Sequence, residues 1–514
     1  MNSKSRQLNS IINSSIGMIS QVVIMLGQFI LQTVFIKTLG AEYLGLNGLF
    51  SNILQFLSLA ELGIGTAITF TLFKPIAEKD SDQIVLIMRL YKNIYISIGL
   101  IVLTGGLILS LFVNDFVNTG TTIDSLQVLF ILYLLNSVVS YFFAYRRTLL
   151  IADQKSYVDT SNQALFRVLQ VVLQILFLSI THNYVVYLVI QIILTLASNF
   201  SIYVKTNRLY PFLKNNDVYG AVPQEIVMHL KKNVVGAMSS KIGSVVMYGT
   251  DNILLSKFIG LNTVGVYTNY MLVVNSLNGL AMQVFNPVAA SIANFVNGES
   301  DKDLNRILFL YMYVVNFIVL FISFELSMLL TPFIHFWIGG RYVFDQITVN
   351  LLLINWMVNT MRITIQSFMN AFGTYWEVRW KSIIESLVNL VVGIILITTT
   401  NLGVNAVIIG SLSSNLLINA WYEPLILFTK VPELKSSRYV LNYLGYIIVG
   451  ITGVIALSFI GRRVDNGLIT ILLVGVAIAI LFVIGFMIVT YKMREAGYFR
   501  EIVLIRLRKI IKLN

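Results

Sequence analysis

The chain has 514 residues, 57% of them hydrophobic and only 12% charged, with a mean hydropathy of +0.80. A soluble chain of this length carries about a quarter charged residues, so these apolar side chains face lipid rather than water. The formal charge of +12 does not indicate nucleic acid, because the basic residues stand in short loops between apolar runs, the pattern of cytoplasmic membrane edges.

Met1 to Asn13 are polar, with Lys4 and Arg6, and the apolar run after them is long enough to span, so no cleavable signal peptide is expected. A helix needs roughly 20 apolar residues to cross a bilayer of ~30 Å. Fourteen such runs follow in order: 14–36, 47–73, 90–113, 126–150, 160–180, 184–204, 234–256, 264–294, 308–330, 346–370, 381–400, 403–428, 439–460 and 467–490. Glu423 and Pro424 make the twelfth the weakest. With the N-terminus in the cytoplasm, about 29 of the 36 Lys and Arg fall on cytoplasmic segments. A missed helix early in the chain would invert every later loop and destroy that asymmetry. The expected fold is therefore an all-α polytopic membrane protein with both termini in the cytoplasm.

The chain also carries an internal echo. After the first run it reads Lys37-Thr-Leu-Gly40-Ala-Glu-Tyr-Leu-Gly45, and after the seventh Lys257-Phe-Ile-Gly260-Leu-Asn-Thr-Val-Gly265, an offset of 220 residues. At nearly the same offset Ala152-Asp-Gln-Lys-Ser-Tyr157 faces Ala371-Phe-Gly-Thr-Tyr-Trp376. A six-helix repeat is expected, and six being even, its copies run parallel. The expected organisation is an N-lobe (1–210), a cytoplasmic linker (211–232), a C-lobe (233–430), two added helices (431–490) and a basic tail (491–514), the lobes flanking a central cavity. In the tail, Arg500, Arg506, Arg508, Lys509 and Lys512 alternate with Ile502, Val503, Ile505, Ile510 and Ile511, a helix suited to an anionic leaflet.

Several of these segments resemble polysaccharide repeat-unit flippases of the multidrug/oligosaccharidyl-lipid/polysaccharide exporter superfamily. They are Tyr43-Leu-Gly45, Glu61-Leu-Gly63-Ile-Gly65-Thr-Ala67, Ala152 to Tyr157, Asp251-Asn-Ile-Leu-Leu-Ser-Lys257, Val264-Gly265-Val-Tyr267 and Pro287. The resemblance implies a cytoplasmic (inner) membrane transporter that carries undecaprenyl-diphosphate-linked oligosaccharide to the outer leaflet for capsule, exopolysaccharide or O-antigen assembly. A polysaccharide polymerase and chain-length machinery would be its partners, besides membrane lipids. Multidrug exporters of the superfamily often place a carboxylate on the first helix, and residues 14–36 hold none. Peptidoglycan-precursor flippases concentrate arginines on the first two helices, where this chain has none.

A sugar head group crossing lipid needs a hydrogen-bonding route, visible as polar residues at helical spacing. The fifth run offers Gln163, Arg167, Gln170 and Gln174, and the tenth Asn355, Asn359, Arg362, Gln366 and Asn370. Weaker stripes hold Asn47, Ser51, Ser58, Glu61 and Gly65 on the second run, Gln21, Gln28 and Gln32 on the first, and Asn269, Ser276, Gly279, Gln283 and Asn286 on the eighth. Interhelical hydrogen bonding alone would account for scattered Ser and Gln. An arginine at a helix centre costs ~2.5–3.5 kcal/mol, so Arg167 and Arg362 point to a wet cavity, with snorkelling the alternative. Their guanidinium forks match a diphosphate or acidic sugars.

The intramembrane carboxylates are Glu61, Asp251, Glu325 and Glu385. Glu61, Asp251 and Glu385 are candidates either for H+ or Na+ coupling or for fixed ion pairs with Arg167 or Arg362. No cofactor and no metal are expected: the chain has no cysteine, and His182, His229 and His335 lie far apart. No phosphate-binding G-x-x-x-x-G-K-[ST] loop is present either. An ion-coupled small-molecule or multidrug antiporter of the same fold is the alternative function. A glycolipid polymerase or ligase is disfavoured by the short external loops.

Overall fold

The structure, a computed structural model, describes residues 3–61, 64–117, 125–214, 249–295, 301–374 and 380–501, with isolated positions between them. Among the described residues every regular element is helical, and ten helices are long and apolar enough to cross a membrane. The chain divides into two compact units, Met1–Thr268 and Asn269–Asn514.

The first unit holds α1 (Ser3–Leu39), α2 (Ala41–Leu57), α3 (Ile64–Glu78), α4 (Ser81–Ser110), α5 (Leu126–Ala152), α6 (Ser156–Thr181) and α7 (Tyr184–Leu209). It ends with the helical stretch 249–258 and the first turns of α8 (Leu261–Phe295). The second holds the rest of α8, then α9 (Asp301–Ile338), α10 (Gln346–Met361), α11 (Ile363–Ala371), α12 (Lys381–Thr399) and α13 (Val404–Ser414). A π-helical turn, Asn415–Asn419, leads into α14 (Ala420–Lys430), followed by α15 (Ser436–Gly461) and α16 (Leu468–Thr490).

Ten of the fourteen predicted runs coincide with these ten helices. The second run is instead two helices, α2 and α3, with a 3-10 turn over Ser58–Glu61. There the Ser58 hydroxyl donates to the Gln55 carbonyl at 2.7 Å, a local bond that competes with the helix ladder. The tenth run breaks at Arg362 between α10 and α11. The eighth lies within α8, whose 35 residues reach far enough. Most of the seventh run, His229, most of the linker 211–232 and the tail beyond residue 501 lie outside the described residues.

Lipid as the outer solvent follows from the side chains. On α16, which has no charged residue, Ile469, Leu481 and Val489 are 69–78% exposed. Burying such side chains is worth roughly 1.5–3 kcal/mol each, so a face of this kind suits only hydrocarbon. The inner side of α16 is pinned by rings: Phe482 and Phe486 meet Tyr313, Phe317, Phe321 and Phe324 of α9 at centroid distances of 5.1–5.6 Å.

In the first unit the two glycine motifs meet. Gly40 and Gly260 take positive φ (87° and 128°) at the corners that begin α2 and α8. Five residues on, the backbones touch. A Cβ built on Gly45 would lie 1.9 Å from the Leu261 carbonyl oxygen, and one on Gly265 2.0 Å from that of Ala41. The contact is reciprocal: each motif's second glycine faces the other motif's first helical residue.

Candidate functional site

In the first unit, α6 packs against α1 and α7. The steps of three and four between Gln163, Arg167 and Gln170 set them on one face of α6. There they line a cavity of about 330 Å³, with Ile24 and Gln28 of α1, Arg147 of α5, and Thr195, Ser198 and Asn199 of α7. The Arg167 Nη1 donates to Gln170 Oε1 at 3.3 Å, and Gln170 Nε2 to Gln174 Oε1 at 3.3 Å. Gln174 turns away from the cavity, giving its Nε2 to the Tyr187 carbonyl at 3.1 Å. No carboxylate among the described residues comes within ion-pair distance of Arg167; the acid of this region belongs to another guanidinium.

That second cation is Arg147. Its Nη2 donates to Asn199 Oδ1 at 2.6 Å, and its Nη1 lies 3.3 Å from Asp159 Oδ1. Gln163 holds the other oxygen of Asp159 at 2.7 Å. A turn further on, Lys205 and Ser201 both donate to Asn162 Oδ1, at 3.0 and 2.8 Å. The cavity thus has two guanidiniums, one carboxylate behind Arg147, and a mixed lining of amides and hydroxyls with the apolar Ile24, Phe166 and Leu194. Such a surface suits a ligand with oxyanions and hydroxyl groups.

The second unit places Arg362 quite differently. It is 4% exposed, and both arms of its fork reach Glu423, Nε to Oε2 at 3.0 Å and Nη2 to Oε1 at 2.7 Å. Nη1 donates to Asn359 at 2.8 Å and Asn415 at 2.6 Å, and lies 3.6 Å from Glu385. Lys381 Nζ is 2.6 Å from Glu423 and 3.4 Å from Glu385. Gln366 donates to Glu423 at 3.3 Å, Asn419 to Glu385, and Asn415 to Asn355 at 3.1 Å. Two cations meet two carboxylates, so the cluster is neutral and its polar atoms are largely engaged. The stripe predicted on the tenth run is brought together, packed around fixed ion pairs.

Local backbone makes this cluster. The π-turn Asn415–Asn419 sets Asn415 and Asn419 toward Arg362 and Glu385, and a π-turn in an α-helix is a frequent mark of a functional position. Pro424 follows Glu423 and has no N–H to give to the preceding turn.

Glu61 and Asp251 meet neither arginine. Glu61, at the α2–α3 break, accepts from the Tyr95 hydroxyl and faces that of Tyr141. Asp251, in the stretch 249–258, accepts from Tyr267, and its Oδ1 is buried without a hydrogen-bond partner among the described residues. Glu325 on α9 likewise keeps a buried, unmatched Oε1. Among the described residues no group of His, Asp and Glu is arranged to hold a metal ion.

Sequence reasoning passed over Arg147, Asn199, Lys381, Asn415, Asn419 and Glu423. Arg146-Arg147 and Lys381 read as loop-side positive charge, and Glu423 only as a flaw in an apolar run. The steps of four from Asn415 through Asn419 to Glu423 were the available signal.

Solved structures share this fold. The lipid II flippase MurJ, in its inward closed conformation, matches with a TM-score of 0.66 at 17% identity, over 94% of this chain and 99% of that one. An inward-facing multidrug resistance MATE family transporter of the MOP superfamily matches at 0.61 and 15%, over 87% and 98%. A Vibrio cholerae MATE transporter matches at 0.58 and 14%, over 84% and 98%. No protein-family model matches the chain, and no curated protein matches its sequence. At such identities the likeness shows the fold, that of multi-pass membrane transporters and flippases.

Proposed function

We propose that this chain is a flippase for undecaprenyl-diphosphate-linked oligosaccharide repeat units. It would carry them from the cytoplasmic to the outer leaflet by alternating access, for capsule, exopolysaccharide or O-antigen assembly. The observation that supports this most is Arg167, a guanidinium with no carboxylate partner among the described residues, in a cavity it shares with Arg147, amides and hydroxyls, and a few apolar side chains. A diphosphate supplies the missing anion, and sugar hydroxyls match the rest. The shared fold of a solved lipid II flippase supports a lipid-linked substrate. Loop charge supports the cytoplasmic membrane, with both termini in the cytoplasm. The chain is read as a transporter and not an enzyme, working beside a polymerase and chain-length machinery.

Deletion in the host tests this directly. The expected result is loss of surface polymer and accumulation of its lipid-linked precursor on the cytoplasmic face; normal polymer export would overturn the reading. The second reading, an ion-coupled small-molecule or multidrug antiporter, is favoured by the shared fold of solved multidrug transporters and by Glu61 and Asp251, carboxylates without a cation partner among the described residues. Purified protein in vesicles separates the two: a flippase moves the lipid-linked sugar and leaves cationic dyes where they are.

A further inference from the structure

The polar cavity holds its own competitor for the ligand. We infer that Asp159 is a resting-state counter-ion for Arg147, which an incoming diphosphate displaces and which recaptures Arg147 when the ligand leaves. This rests on the flippase reading and concerns the same site.

The geometry is that of a replaceable pair. Arg147 lines the cavity and its side chain keeps 20% of its surface exposed, whereas Asp159 is 5% exposed and stands behind it. Nη1 and Oδ1 are 3.3 Å apart, and among the described residues neither Asp159 Oδ1 nor Arg147 Nε has a hydrogen-bond partner. Contrast the two-pronged grip of Glu423 on Arg362, at 2.7 and 3.0 Å. Arg147 therefore has unused donor capacity and is held to its acid chiefly by charge. Gln163 grips the far oxygen of Asp159, so the carboxylate stays in place when Arg147 turns away. Arg167, with no acid of its own, takes a first phosphate without displacing anything; the second phosphate reaches Arg147 against Asp159. A ligand with two linked phosphates thus binds at both guanidiniums, more weakly than it otherwise would. Weak binding at the second guanidinium serves release, since transport fails when a carrier holds its cargo too well.

The test uses the purified full-length chain in lipid nanodiscs, with farnesyl diphosphate and farnesyl monophosphate as probes in calorimetry. Asp159→Asn keeps shape and the contact with Gln163. It is expected to tighten the diphosphate roughly tenfold, the scale of one charged hydrogen bond regained, and to change the monophosphate less than about twofold. The same variant should flip lipid-linked substrate more slowly in vesicles. Arg147→Gln combined with Asp159→Asn should erase the gain, since the competitor matters only through Arg147. Unchanged or weaker diphosphate binding by a normally melting Asp159→Asn protein would overturn the latch. Equal weakening of both probes would also overturn it, as a purely structural effect. Failure of the unaltered chain to bind either probe would instead count against the flippase reading itself.

Discussion

Two clusters of charge lie within this chain's membrane helices, and they are built on opposite terms. In the first unit α5 and α6 bring two guanidiniums to a cavity of about 330 Å³, with one carboxylate, Asp159, that pairs with Arg147 alone. In the second, α10 to α14 bring one guanidinium and one ammonium to two carboxylates, all at most 8% exposed. An arginine in a membrane helix is thus not one kind of evidence. Where acids match it, burial and pairing fix the helices; where they do not, its charge remains available to a ligand.

The sharpest way to break this comparison is to remove each arginine in turn. Arg362→Ala leaves two buried carboxylates to Lys381 alone. It should destabilise the fold by about 3–5 kcal/mol and deplete the protein from the membrane, as read by immunoblot and by detergent melting. Arg167→Ala should leave abundance and melting unchanged and abolish polymer export. If both variants are equally abundant and equally inactive, the distinction fails. Arg167→Lys sharpens it, retaining partial export if charge alone suffices and none if a two-pronged fork is required.

A smaller loss is expected at the glycine crossing. Gly265→Ala places a methyl against the Ala41 carbonyl, a backbone atom that cannot swing aside. The expected cost is about 1–3 kcal/mol in the melting of the purified protein, without loss of ligand affinity in the α5–α7 cavity.

The smallest effect belongs to Asp345, which caps α10, the helix leading to Arg362. Burial pushes its carboxyl up, but hydrogen bonds from the Thr348 hydroxyl and from the Thr348 and Ile347 amides outweigh this and hold it below the ordinary value. With a depressed folded value, its stabilisation is present above the unfolded carboxylate range and is lost as pH falls through the folded one. Asp345→Ala should cost about 1 kcal/mol near neutrality, and the difference from the unaltered protein should vanish in melts at acid pH.

Much of the architecture was legible because lipid imposes a plain rule on length and polarity. The ten continuous spans were read from apolar runs alone, and Gly45 and Gly265 were marked by their equal spacing from Gly40 and Gly260. The breaks at Ser58–Glu61 and at Arg362 were not, because hydropathy averages over the few residues where backbone geometry changes. Among the side chains, the α6 stripe announced its own face but not its neighbours: periodicity orders residues on one helix and says nothing of what the next helix brings. Arg147, Lys381 and Glu423 were hidden for that reason. Each lies near a helix end, where charge is ordinary.

The neutral cluster also bears on how the protein is made. Arg362, Lys381 with Glu385, and Glu423 arrive on three successive spans as the chain is synthesised, and a buried charge left without its partner is costly. A nascent chain that has reached α12 already holds Arg362, Lys381 and Glu385, one positive charge in excess until Glu423 emerges. These spans therefore mature as a set, and a ribosome stalled before α14 leaves a chain whose membrane insertion is unfinished.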